Sequence, residues 1–255
     1  MNRLLLHFTL LLSFAITAGM QVFAQPSSPE SQRSYTKAGE VFNRLEDSLK
    51  KQFGEKNLAW PPQSLYIRSF KYDRTLEVWV KSNNDEKYSL FKSYKVCMQS
   101  GKTGPKRSQG DNQIPEGFYY INEFNPNSKY HLALGLNYPN ASDKILSDSD
   151  KPGGAIYIHG NCVSTGCIAI SDEPIEELYV IASSVRNNGQ DFIPVHVFPV
   201  KYNVPKSINY LTETVQSNVT INRFILSLKE AFDYFEANKK LPLIMVNKNG
   251  DYVIN

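Results

Sequence analysis

The spacing of apolar positions divides the chain into a helical lead, a strand-rich middle and a helical end. Val41, Leu45, Leu49 and Phe53 recur every four residues, which predicts a helix with Gly54 as its C-terminal stop. The period then changes. LYIRSF (65–70), TLEVWVKS (75–82) and YSLFKSYKVC (88–97) read as strands, and in the second Leu76, Val78 and Val80 share one face while Glu77, Trp79 and Lys81 share the other. The polar SNNDEK between the last two predicts an antiparallel hairpin. FYYINEF (118–124), AIYIHG (155–160) and FIPVHVFPV (192–200) are further strands, and Pro194 and Pro199 predict an edge or an ending for the third. Asp172 is placed to cap a helix with Glu173 and Pro174 in its first turn, ending near Asn187-Asn188-Gly189. Towards the C-terminus Phe224, Leu228, Phe232 and Phe235 lie at helical spacing, and LPLIMVNKNGDYVIN closes as a hairpin turning at Asn249-Gly250.

Two long irregular stretches interrupt this pattern. MQSGKTGPKRSQGDNQIPEG (98–117) and GLNYPNASDKILSDSDKPGG (135–154) are long and irregular; a loop of that length inside a compact domain is usually a working part or disordered, and the proline-glycine clusters of the first argue for a shaped loop. They flank one motif, IYIHGNCVSTGCIAISDEP (156–174), which predicts a groove around it.

The N-terminus changes the compartment expected. Residues 1–24 have one basic residue, Arg3, then a mostly apolar run and the small-residue ending Val22-Phe23-Ala24, the pattern of a cleaved secretory signal. His7, Thr9, Ser13, Thr17 and Gly19 dilute the run below that of a membrane anchor. Residues 25–35 read as a flexible tether, 36–200 as one domain with an N-terminal helix, and 201–255 as helices and a hairpin packed on it. The net charge of +3, or +2 without Arg3, is too small to argue for nucleic acid. NAS (140–142) and NVT (218–220) match glycosylation triplets, a pattern that arises often by chance. His131 and His196 lie in apolar surroundings and read as structural.

Three cysteines in an exported chain leave at least one thiol unpaired. His159 leaves its strand on the face opposite Ile156 and Ile158, and Cys167 follows eight residues later. An extended segment would hold them about 26–29 Å apart, so the loop must fold back for them to meet. Gly160 and Gly166 are placed to allow that reversal. A paired imidazolium would lower the thiol pKa, and backbone N–H groups around Thr165, Gly166 and Cys167 would serve an oxyanion. The same residues leave other readings open. Cys97, Cys162, Cys167 and His159 form a conceivable zinc set, and Cys162 and Cys167 a conceivable disulfide beside a core-packed His159. Chance burial of the three groups together is a further reading.

HGNCVSTGC resembles the active-site signature of the L,D-transpeptidase catalytic domain (YkuD) family, and the eight-residue spacing is similar to its YafK-like branch. LYIRSFKYDRTLEVWV, YKVCMQSGKTGPKRSQGDNQIPEGFYYI, LALGLNYPN and LKEAFDYFEANKKLP extend the likeness over roughly residues 40–245. The resemblance implies a mainly β fold with peripheral helices, a β-sandwich or open barrel, here with a C-terminal helical extension. It implies Cys167 as nucleophile, His159 as base, and the Gly160 carbonyl as the group orienting the imidazole. Ser164 matches the serine opening the cysteine motif, and Thr165 stands where most members have a second histidine, whose role therefore does not transfer. Cys97 and Cys162 fit a structural disulfide on the same grounds.

The chemistry implied is acyl transfer on peptidoglycan stem peptides at diaminopimelate in the periplasm or cell envelope, with no cofactor or metal and no nucleic-acid partner. A wall-attached envelope protein is a second partner that the resemblance admits. Two alternatives stay open: an amidase that cleaves protein or peptide from diaminopimelate, and a non-catalytic peptidoglycan-binding module. Lys106, Arg107, Asp111 and Glu116 are candidates to pair with a zwitterionic diaminopimelate end, and Asn137 and Tyr138 to wall the groove, against a reading as ordinary loop charges and turn bonds.

Overall fold

The computed structural model describes residues 29–82, 84–215 and 219–255, so the expected signal (1–24), the start of the tether and Asn218 of the second triplet lie outside the described residues. Within the predicted tether, Pro29–Arg33 form a short helix, α1. Gln32 is buried there and accepts a hydrogen bond from the Tyr179 hydroxyl at 2.5 Å. A polar contact orders this stretch, and apolar periodicity does not report it.

Helix α2, Thr36–Glu55, buries Val41, Phe42, Leu49 and Phe53 and leaves Leu45 half-buried at the margin. It runs through Gly54; the reversal falls on Asn57, which adopts a left-handed φ of 55° while Leu58 N–H returns to the Phe53 carbonyl. Then follow β1 (Ser64–Phe70), β2 (Thr75–Lys81), β3 (Ser89–Lys95), β4 (Gly117–Asn125), β5 (Ala133–Leu136), α3 (Ala141–Leu146), β6 (Tyr157–His159), β7 (Ile168–Ala169), α4 (Asp172–Asn187) and β8 (Pro194–Phe198). The C-terminal extension contains α5 (Pro205–Val215), α6 (Val219–Asn238) and the hairpin β9 (Ile244–Val246) and β10 (Tyr252–Ile254).

The first eight strands form one sheet in the order β3-β2-β1-β8-β4-β5-β6-β7. It curls into an open half-barrel, the second of the two architectures expected. The sheet ends approach one another: just beyond β3, Cys97 N–H donates to the Ala169 carbonyl of β7, and Met98 makes an isolated antiparallel bridge with Ala169. A register shift between Ile121 and Glu123 of β4 helps bend the sheet. Strand β8 is not at an edge. It pairs parallel with β1 and antiparallel with β4, because Pro194 opens the strand and Pro199 lies past its end, so neither removes an interior donor.

Both faces of the central strands are covered. Leu65 and Ile67 face α2 and α4, while Tyr66 and Phe70 face Phe235 and Phe232 of α6. Leu228, Phe232 and Phe235 are almost wholly buried, worth about 2–3 kcal/mol each. Between them sits Arg68, which donates to Glu77 on β2 (2.7 Å) and Glu236 on α6 (2.7 Å) with its guanidinium over the Trp79 and Phe235 rings. This explains how the polar face of β2 comes to be buried: α6 covers it, Arg68 of β1 and Lys201 neutralise Glu77, and Glu236 of α6 balances Arg68. Asn140 of the first triplet is also buried, capping α3 and donating to Tyr252, which removes it as a glycosylation acceptor.

Candidate active site

Strands β6 and β7 run parallel, with Ile158 opposite Ile168 and His159 opposite Ala169. Cys167, one residue before β7, therefore falls beside Tyr157, two positions behind His159 and on the same face of the sheet. The connecting loop reverses through Asn161, left-handed at φ 58°, and Gly166 at φ 135°. Gly160 has ordinary torsions, and what it supplies is space. A Cβ there would lie 2.6 Å from Asp172 Oδ1 and 2.9 Å from His131 Cβ.

Asp172 does not cap α4. Its Oδ1 accepts the Asn161 N–H at 2.7 Å, and the N-cap position belongs to Ser171, whose φ is 67°. The carboxylate thus ties the start of α4 to the turn that follows His159. A disulfide joins Cys97 to Cys162 and pins the same turn to the end of β3, leaving Cys167 as the free cysteine. That pairing removes two members of the alternative zinc set and excludes a Cys162–Cys167 bridge. Among the described residues no His, Cys, Asp and Glu group is arranged to hold a metal ion.

The His159 ring is buried, with Nδ1 2.5 Å from the Gly160 carbonyl oxygen and the ring face on Tyr130, centroids 4.8 Å apart. A carbonyl only accepts, so Nδ1 holds the proton and Nε2 keeps its lone pair. The Cys167 thiol donates to the Ala155 carbonyl at 3.7 Å; imidazole and sulfur share a face without a hydrogen bond between them. Burial holds the His159 pKa below its ordinary value despite the Gly160 carbonyl. Burial also pushes the Cys167 thiol up, against a backbone hydrogen bond from Tyr157 and the positive charge of Lys106. The two groups are thus favoured as a neutral pair, a correction to the imidazolium-depressed thiol expected from proximity alone.

The Gly166 and Cys167 N–H groups are turned inward to Ser164 Oγ (3.2 and 3.0 Å), and Ser164 donates in turn to the Cys167 carbonyl at 2.7 Å. In this state Ser164 shapes the turn, and those two N–H groups are not presented to an oxyanion. Thr165 is exposed at the rim.

Cys167 lies in a small cleft of about 160 Å³ walled by Lys106, Gln109, Gly153, Gly154, Ala155 and Thr165. Of the residues proposed to touch a ligand, Lys106 alone reaches this cleft, and its Nζ is held by Asp111 (2.5 Å) and the Ser108 carbonyl (2.8 Å). Asp111 also accepts the N–H groups of Arg107, Ser108 and Gln113, so it organises the loop. Arg107 turns away to Asp143 at 3.0 Å. Glu116 is fully buried against Lys71 (2.9 Å). Asn137 accepts Tyr120 N–H, and the Tyr138 hydroxyl donates to the Pro152 carbonyl, which makes both of them scaffold. His196 bonds Tyr66 and His131 bonds Glu176, as structural histidines do. Sequence reasoning misses Asp172, Tyr130 and Lys71, whose partners are 11, 29 and 31 or more residues away in the chain.

The model of the L,D-transpeptidase catalytic domain, YkuD, matches residues 68–197. Over 193 residues the chain is 35% identical to the Escherichia coli (strain K12) protein named "Putative L,D-transpeptidase YafK", covering 75% of this chain and 74% of the relative. Among solved structures, the helical cell shape determining protein Pgp2 from Campylobacter jejuni gives a TM-score of 0.43 at 19% identity, over 72% of this chain and 73% of that one. Mycobacterium tuberculosis L,D-transpeptidase 1 gives 0.31 at 16% identity, over 52% and 61%. The assignment rests on the two sequence matches, and the family model takes in most of the sheet, the loop bearing Lys106 and the whole histidine-cysteine motif: this chain belongs to the L,D-transpeptidase catalytic domain (YkuD) family.

Proposed function

We propose that this chain is an exported cysteine acyltransferase acting on peptidoglycan stem peptides at diaminopimelate. The observation that carries the reading is the placement of one free thiol and one tautomerically fixed imidazole on the same face of adjacent parallel strands. Cys167 attacks the peptide carbonyl as its proton passes to His159 Nε2. The imidazolium then protonates the departing amine, which leaves an acyl thioester on Cys167. An acceptor amine attacks the thioester, His159 takes its proton, and the thiol regains one as it leaves. Water in place of the amine gives the hydrolase, with the same intermediate. The Cys97–Cys162 bridge supports an oxidising compartment and so export. No helix of the described residues is long and apolar enough to cross a membrane.

Mass spectrometry of intact muropeptides after incubation with the protein, with and without an added acceptor amine, tests this. New cross-linked or amine-capped products that vanish in Cys167→Ala and His159→Ala support transfer. Shortened products alone assign the hydrolase, and normal turnover by Cys167→Ala overturns the mechanism.

A further inference from the structure

The loop that brings Lys106 to the Cys167 cleft has a second face. Arg107, the next residue, projects to the opposite side and borders a cleft of about 560 Å³ enclosed with α6, β10 and the end of α3. That volume lies within the 300–1,000 Å³ typical of ligand sites, whereas the cleft at Cys167 falls below it. The wall is mainly apolar, with Phe224 and Tyr252 supplying aromatic surface, and two cations lie along it with one carboxylate, Asp251, which accepts from Asn247. The Arg107 guanidinium sits 5.7 Å over the Phe224 ring, tethered through Nη1 to Asp143 and the Lys106 carbonyl. Arg223 is exposed and has no hydrogen bond or ion pair among the described residues. Gln113 belongs to both sites: it lines the larger cleft, and its carbonyl lies 3.3 Å from where a Gly166 Cβ would be, beside Cys167.

We infer that this larger cleft is a peptide-binding site that grips a carboxylate with Arg223 and Arg107 and rests the neighbouring side chain on Phe224 and Tyr252. Arg223 supplies free N–H groups and Arg107 a guanidinium above an aromatic face, a pair that favours a planar anion attached to an apolar body. An acyl transfer uses two peptides, and the cleft at Cys167 has room for little more than the reacting end of one. The larger cleft, bordered by the next residue of the same loop, would hold the other. The identity of the peptide rests on the acyl-transfer reading; the site itself does not.

The test is a titration of the full chain bearing Cys167→Ala with the stem tripeptide ending in diaminopimelate, its carboxyls free or amidated. The free acid should bind, and amidation should weaken it about tenfold. Arg223→Gln, a change at an exposed side chain, should weaken the acid by about the same factor and bring acid and amide level. Equal binding of the acid to Arg223→Gln and its parent overturns the site, as does displacement of the tripeptide by inorganic phosphate at matched ionic strength, which would mark a general anion patch. Tripeptide binding lost in Arg223→Gln beside normal turnover by Cys167→Ala would sink the acyl-transfer reading and leave the cleft standing.

Discussion

Asp172 Oδ1 occupies the space that a side chain on Gly160 would need, 2.6 Å from the ideal Cβ position, while accepting the N–H of Asn161 at 2.7 Å. The residue whose carbonyl fixes the His159 tautomer is thereby clamped from behind. Gly160→Ala meets no torsional objection, since its φ is ordinary, but the added carbon must displace a carboxylate, His131 and Ile175 together. It should cost about 1–3 kcal/mol as overpacking and reduce turnover at least tenfold by moving the carbonyl. Asp172→Asn, which keeps the shape and an acceptor, should retain most activity. Denaturant melts paired with muropeptide turnover check both, and wild-type behaviour of Gly160→Ala would refute the clamp.

Lys71 should be as consequential although it is remote from the thiol. Its Nζ gathers the carbonyls of Lys102 (2.6 Å), Gly104 (3.2 Å) and Ile114 (3.0 Å) and neutralises the fully buried Glu116. Lys71→Met leaves that carboxylate unpaired and the loop without its centre, a loss of about 3–5 kcal/mol. Adding Glu116→Gln should recover part of it by removing the stranded charge. A double-mutant cycle by urea unfolding measures the coupling, and strict additivity would show that the pair is not what holds the loop.

The Cys97–Cys162 bridge closes a loop with a sequence separation of 65, for which chain entropy predicts about 4 kcal/mol. Replacing both cysteines with alanine should lower Tm by about 10 °C in a domain of this size. The loss should be matched by adding a reductant to the wild type and should not increase when reductant is added to the double variant. A melt indifferent to reductant in the wild type would mean that the bridge contributes little.

The strands, the terminal helix and the histidine-cysteine pair are legible in the sequence because each writes a local signal: a period of two, a period near four, or a glycine-rich motif. Errors fall where the deciding partner is distant. Pro194 reads as an edge signal, yet it only opens a central strand, since strand order is fixed by pairing with β1 and β4. Glu116 and Asp111 read as ligand-facing charges because a loop of that composition is usually solvated. What buries or engages them is Lys71, 45 residues before Glu116, and the loop's own N–H groups. Asp172 has every local attribute of a helix cap and serves the preceding turn instead.

The protonation of the pair gives the sharpest test of the chemistry. Burial favours the uncharged form of each partner, which holds His159 below its ordinary value and Cys167 above its own. Near pH 7 the site should therefore hold thiol and neutral imidazole, and the proton should move only as the carbonyl is attacked. Iodoacetamide, which reports thiolate alone, should then react slowly up to about pH 8.5 and accelerate above it. Peptide acylation, which needs the base unprotonated, should fall only below the ordinary histidine range, because protons add to His159 at a pH lower than usual. His159→Ala should leave the alkylation profile nearly unchanged, since the imidazole does not set the thiol pKa, yet slow acylation about a hundredfold or more. An alkylation plateau between pH 5 and 7 that disappears in His159→Ala would reveal a thiolate-imidazolium pair. The geometry would then have to bring His159 Nε2 onto the sulfur before substrate arrives.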